Sequence, residues 1–224
     1  NRALETNNVL PSRVVQRITP DCTTGADEAY RLEITPDSVF IQSATVTGAF
    51  RGEETLKQLL RSGKGTTSAC VINDAPRYSW RGFMLDESRH FFGKEKVKQL
   101  LDIMASLRLN VFHWHLTDEP GWRIEIKKYP LLTKVGSKGN YHDPSAPAAF
   151  YTQEDIKDIV AYAAARHIMI VPEFDMPGHA TAACRAYPEL SGGGEGRWKD
   201  FTFHPCKEET FRFISDVLDE LITL

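Results

Sequence analysis

The chain has 224 residues, of which 42% are hydrophobic, and a formal net charge of −3. That length holds one large domain or two small ones, and the composition is that of an ordinary globular protein. No apolar run reaches the ~20 residues that span a bilayer, and the basic residues are scattered on an acidic chain, which excludes the electrostatic footprint of a nucleic-acid binder.

The opening Asn1-Arg-Ala-Leu-Glu-Thr6 has neither the basic start nor the apolar segment of a signal peptide. The first residue is not Met, so a processed or trimmed start, compatible with an exported precursor, is expected. The cysteines Cys22, Cys70, Cys184 and Cys206 form no C-x-x-C pair, which removes zinc-ribbon and thioredoxin-like readings. Cys184 and Cys206 flank one long loop and can be read as a disulfide or, as preferred here, as buried free thiols.

Up to Ser79 the pattern is that of a small α+β domain (residues 1–79). Tyr30-Arg-Leu-Glu-Ile-Thr35 alternates with period two, Pro36-Asp37 turns the chain, and Val39-Phe-Ile41 resumes as a strand. Phe50, Leu56, Leu59 and Leu60 then recur at helical spacing, and Ala69-Cys-Val-Ile72 is a further strand, giving β-β-α-β. Gly63-Lys-Gly-Thr-Thr67 lacks the spacing of a phosphate loop and reads as a turn.

From Trp80 (residues 80–224) the pattern lengthens into βα repeats. Arg81 to Leu85 is a strand, followed by a helix carrying Val97, Leu100, Leu101, Met104 and Leu107. Val111 to Leu116 and Ile168 to Val171 are the second and third strands. Helices around Ile156–Ala163 and Phe211–Leu221 follow them. Alternation of this length implies a parallel sheet. The helix-to-strand connections are short, whereas roughly thirty residues separate strands two and three from the next helix, well beyond the few usual for βα loops. Long loops at the strand C-termini mark the functional end of an α/β fold.

Those ends are polar. The first strand delivers Asp86, Arg89 and His90; the second delivers His113, His115, Asp118, Glu119, Trp122 and Arg123; the third delivers Glu173, Asp175 and His179. Unpaired polar groups gain nothing from burial, so the cluster reads as an active site. Arg89 offers a planar fork of donors for a polar ligand, or else an ion pair with Asp86 or Glu87. His113 and His115 share one strand face and read as ligands or as satisfied core histidines. Glu173 reads as a brace for its neighbours. The Met-Pro-Gly turn between Asp175 and His179 combines a fixed φ with a permissive glycine and aims His179 back at the site.

Taken in order, Arg81-Gly82, Leu85-Asp-Glu-Ser-Arg-His-Phe-Phe92, His113-Trp-His-Leu-Thr-Asp118, Gly121-Trp-Arg123 and Pro172-Glu-Phe-Asp-Met-Pro-Gly-His179 resemble the β-N-acetylhexosaminidases of glycoside hydrolase family 20. The preceding unit, with Gly48-Ala-Phe-Arg-Gly52, is similar to the small domain before the barrel in that family. The resemblance implies an incomplete (β/α)8 TIM barrel, of which the first three βα units are present. It implies that Arg89 binds hydroxyls of the terminal sugar and that Asp118 and His179 form a pair tuning the catalytic acid. His115, Glu173 and Asp175 would line or brace the pocket, with Trp122 either facing the sugar or anchoring its loop. The implied chemistry is removal of a terminal non-reducing N-acetylhexosamine from a glycan, retaining and substrate-assisted. No cofactor or metal is implied, and an exported location is expected; the sequence sets no oligomeric state.

The family's catalytic Asp-Glu pair belongs to a Gly-Asp-Glu-type motif at a fourth strand, which does not occur in these residues. Asp118-Glu119 matches a different part of the pattern, and Glu195 lies among glycines. The segment alone is therefore expected to be inactive. Two other readings stand beside this one: a metal-dependent barrel hydrolase using His113, His115, Asp175 and His179, and a non-enzymatic sugar-binding module.

Overall fold

A computed structural model describes residues 8–9, 13–19 and 27–224; Cys22 and the residues before Asn8 lie outside the described residues. The chain divides into two compact units, one of residues 1–81 with 104–110 and the other of residues 82–103 with 111–224.

In the first unit the strands are β1 (Asn8–Val9), β2 (Val14–Ile18), β3 (Tyr30–Ile34), β4 (Val39–Ser43), β5 (Thr67–Ser68) and β6 (Cys70–Asp74), with helix α1 (Val46–Ser62). Four strands form a sheet in the order β2-β4-β3-β6, in which β2 runs parallel to β4 and the other neighbours are antiparallel. Period-two alternation on β3 and β4 turns Tyr30, Leu32, Ile34, Val39 and Ile41 to one face, where they form a buried core with Ala49 and Leu56 of α1. Thr45 caps the helix by accepting from the Gly48 N–H. Gly52 lets the helix lie close to the sheet: a Cβ there would stand 2.7 Å from Ile41 Cγ2. The expected β-β-α-β pattern is present, but β1, β2 and β5 are additional to it. β2, Val-Val-Gln-Arg-Ile, keeps most of its side chains exposed. Gly63 to Thr66 form the turn that leads into β5.

The second unit holds β7 (Gly82–Asp86), α2 (Lys94–Ser106, whose last turn clusters with the first unit), β8 (Val111–Thr117), α3 (Gln153–Ala164), β9 (Met169–Phe174), α4 (Thr181–Ala186) and α5 (Glu208–Leu221). The three strands are parallel in the order β7-β8-β9, so the long crossovers predicted an α/β sheet correctly. On β8, Phe112, Trp114 and Leu116 are buried to within 1%, while His113, His115 and Thr117 face the other way. Helix α3 begins with a reciprocal capping box between Thr152 and Asp155. The short α4 and a π-type turn at Leu132–Gly136 divide loops that the sequence reading treats as irregular.

Two further expectations are corrected. Cys184 and Cys206 are both free, and only Cys184 is buried; Cys206 is exposed. In the Met-Pro-Gly-His turn the left-handed residue is His179, with φ 52°. Gly178 takes no such φ; it sits instead against the Phe201 ring.

Candidate active site

Asp86, Arg89, His113, His115, Asp118, Glu173 and His179 converge at the C-terminal ends of β7, β8 and β9. Asp86 closes β7, and the tight turn after it brings Arg89 back: Asp86 accepts from the Arg89 backbone N–H at 2.9 Å and from Nη1 at 2.8 Å. The other arm of the fork, Nη2, lies 2.7 Å from Asp118 Oδ2. The ion-pair reading of Arg89 is the one observed. The arginine is paired to Asp86, not Glu87, and its side chain is still 40% exposed, leaving donors on the open side.

Asp118 is the hub. Its side chain is fully buried, and four N–H groups reach it: Arg89 Nη2 and His115 Nε2 (2.9 Å) at Oδ2, with the Glu119 backbone (2.6 Å) and His179 Nδ1 (3.0 Å) at Oδ1. Burial alone would raise its pKa, but the His115 and Glu119 hydrogen bonds and the Arg89 charge outweigh it and hold the carboxyl below the ordinary aspartate range. His179 is 41% exposed and packs at a tilt against Phe201, with ring centroids 4.8 Å apart.

His115 is buried between two carboxylates, Nε2 toward Asp118 and Nδ1 3.0 Å from Glu173 Oε2. Burial disfavours its charge, but the hydrogen bonds to Asp118 and Glu173 win and push it up to about 9. Glu173, on β9, also takes His113 Nε2, so it braces both histidines. Asp175 sits with its backbone N–H on Thr117 Oγ1. Burial and the Asp118 charge raise its pKa.

Trp122 stands apart from this cluster. Its indole is 2% exposed, donates to the Ile124 carbonyl at 2.7 Å and packs against Phe174 and Phe213, the geometry of a loop anchor. Glu87, next to Asp86, points into the core, where it accepts from Tyr151 Oη and the Phe92 N–H at 2.7 Å each. Burial raises its pKa.

Arg123, named in the sequence among the strand-end residues, has a role there that the sequence did not show. It is 1% exposed, and all five of its N–H donors reach backbone carbonyls: Glu87 (3.2 Å), Ser88 (2.8 Å), Ser137 (2.6 Å), Gly139 (2.7 Å) and Ala149 (3.1 Å). Burial pushes this guanidinium down to about 10, so it stays charged at neutral pH. Gly121 makes the space: a Cβ there would stand 2.2 Å from Arg123 Cζ. The Gly-Trp-Arg triplet is thus a buried clamp that ties the Arg89 turn to the loops around Asp118 and Tyr141.

The donor set does not suit a metal hydrolase. His113 is engaged with Glu173 and His179 with Asp118. Among the described residues the only convergent group is His115, Asp118 and Asp175, whose ligand atoms lie within 4.8 Å of one another. Both His115 nitrogens already face carboxylates, and Arg89 occupies the cation position on Asp118.

Comparison with known proteins places the chain in a family. Residues 78–224 match the model of the glycosyl hydrolase family 20 catalytic domain and residues 2–75 that of the family's domain 2. A β-hexosaminidase of Porphyromonas gingivalis is 43% identical over 88% of the chain and 28% of its own length. The β-hexosaminidase subunit alpha of Bos taurus is 37% identical over 95% of the chain and 41% of its own length. The exo-β-N-acetylglucosaminidase of Vibrio harveyi, solved with N-acetylglucosamine, superimposes with a TM-score of 0.83 at 35% identity, over 93% of this chain and 35% of that one. The N-acetyl-β-hexosaminidase of Streptomyces plicatus gives 0.82 at 37% identity, over 93% and 44%. The chain spans less than half the length of each of these relatives. It belongs to glycosyl hydrolase family 20.

Proposed function

We propose that the protein carrying this chain removes terminal non-reducing N-acetylhexosamine from glycans, with retention of configuration. The observation that carries the proposal is the Arg89–Asp118–His179 arrangement. It is a half-exposed guanidinium fork and a half-exposed imidazole, both held by one buried carboxylate at the strand ends. Arg89 presents its remaining N–H groups to sugar hydroxyls. Asp118 fixes His179, which in turn serves the catalytic acid.

In this reading the carbonyl oxygen of the substrate's own 2-acetamido group attacks the anomeric carbon while the glycosidic C–O bond breaks. A Glu of a Gly-Asp-Glu-type motif gives its proton to the leaving oxygen, and the neighbouring Asp steadies the acetamido group. Water, deprotonated by the same Glu, then opens the oxazolinium and restores the configuration. These are the substrate-assisted steps that set such enzymes apart from the two-carboxylate scheme.

The proposal includes the division into a small α+β domain (1–79) and the first three βα units of a (β/α)8 barrel (80–224). It also includes an exported location, suited to polymeric glycans. Residues 1–224 contain no Gly-Asp-Glu motif, so the segment by itself is expected to turn over no aryl N-acetylglucosaminide. Proton NMR of a reaction with the full-length protein tests the stereochemistry. The β-anomer of the free sugar is expected first, and an α-anomer appearing first would overturn the retaining mechanism.

A further inference from the structure

We propose that His115 is a positioning residue held as a permanent imidazolium, whose two protons lock Asp118 as a carboxylate and thereby fix the Nδ1–H form of His179. The inference rests on the hexosaminidase reading above and adds a residue to it. Its basis is geometric. The His115 side chain is 5% exposed, with Nε2 2.9 Å from Asp118 Oδ2 and Nδ1 3.0 Å from Glu173 Oε2. A neutral imidazole has one N–H and one lone pair. Either tautomer would press a lone pair against a carboxylate oxygen, with little water to separate them. Only the doubly protonated ring satisfies both contacts.

The surrounding charges favour the same state. From the end of β7 come Asp86 and Arg89, whose Nη1 lies 3.3 Å from Nε2. β8 and the loop after it contribute Asp118 and, across Glu173, His113; β9 and its loop contribute Glu173, Asp175 and, across Asp118, His179. Four carboxylates (Asp86, Asp118, Glu173 and Asp175) face one arginine there, and a second fixed cation redresses the balance. Burial opposes the charge, but the hydrogen bonds to Asp118 and Glu173 and the charges of Glu173 and Asp86 outweigh it and push His115 up to about 9.

The consequence reaches the reaction through two hydrogen bonds. With Arg89 and His115 both donating to Oδ2, and the Glu119 N–H on Oδ1, Asp118 has no reason to take a proton. His179 must then donate through Nδ1, which leaves the Nε2 lone pair for the groups of the reaction. Loss of the His115 charge would raise the pKa of Asp118 and loosen the choice of tautomer at His179.

The test uses the full-length protein labelled with 15N-histidine. At pH 7.5 both ring nitrogens of His115 should read as protonated and remain so until the pH nears 9, and His179 should read as the Nδ1–H tautomer. A neutral His115 at pH 7.5 in the folded protein would overturn the proposal, whether or not the protein cleaves hexosaminides. The His115→Gln variant keeps a donor but loses the charge. It should lower kcat about tenfold or more and move the acidic limb of the kcat/KM profile up by about one pH unit, as expected when an opposite charge beside a carboxylate is removed. A variant with reduced activity but an unmoved limb would show His115 to be merely structural and would also overturn the proposal. An inactive wild-type protein would instead defeat the hexosaminidase reading, leaving the spectra to decide the state of His115.

Discussion

Asp118 and Arg89 illustrate why a buried carboxylate is retained at a strand end. A lone ionised carboxylate would cost far more than the fold could offset, yet Asp118 is met by four donors from three segments of chain. Its partner Arg89 spends one arm on Asp86 and the other on Asp118, so its position is set before any ligand arrives. Replacing it by methionine should keep the fold and cut kcat/KM about a hundredfold, chiefly through KM, because charged hydrogen bonds to a ligand contribute about 1.5–3 kcal/mol each. An unchanged KM in steady-state kinetics would remove Arg89 from the sugar pocket. His115 carries a stability signature as well. Its folded pKa is raised to about 9, so its contribution is fully present below the ordinary histidine range and is lost as pH rises through about 9. The melting temperatures of wild type and His115→Gln should differ at neutral pH and draw together above pH 9; a constant gap would contradict this assignment.

Strand ends and their loops show how the side chains are aimed. β8 alternates core and site residues, so the face that packs Phe112, Trp114 and Leu116 necessarily turns His113 and His115 the other way. The Arg89 turn is held from below by Arg123, whose five carbonyl partners come from three separate stretches of loop. Arg123→Ala would leave those acceptors unsatisfied and should lower stability by about 3–5 kcal/mol, in the range for breaking a buried charged network. Gly121→Ala should act in the same direction by displacing the guanidinium. Chemical denaturation checks both, and a loss under 1 kcal/mol for Arg123→Ala would show the clamp to be dispensable.

The convergence of Arg89, Asp118, His115, Glu173 and His179 was legible in the sequence because parallel strands place their C-terminal ends side by side. The clamp was not: an arginine bonded only to backbone carbonyls leaves no side-chain partner to find in a sequence. Nor was the left-handed His179, since Gly178 beside it is the residue that usually takes such a φ.

At the scale of the whole molecule, the charged side chains of the second unit gather at one end of its parallel sheet. The two cations at the centre, Arg89 and His115, share Asp118 at the strand ends, and the function proposed above assigns this cluster to binding and orienting a sugar. Glu87 is spent in the core on Tyr151 and Phe92. Strand β9 pairs with β8 alone among the described residues, and an unpaired strand edge invites association. Residues 1–224 produced in isolation should therefore self-associate, which light scattering would register; a stable monomer at high concentration would contradict that expectation.

The central claim is that the substrate's own acetamido group does the nucleophilic work in a pocket gripped by Arg89 and steadied by Asp118 and His179. It is tested most directly by comparing the full-length protein on an aryl N-acetyl-β-glucosaminide and on the matching aryl β-glucoside, which has a hydroxyl in place of the acetamide. The account predicts turnover of the first and none above background for the second. Comparable kcat/KM on both would contradict it.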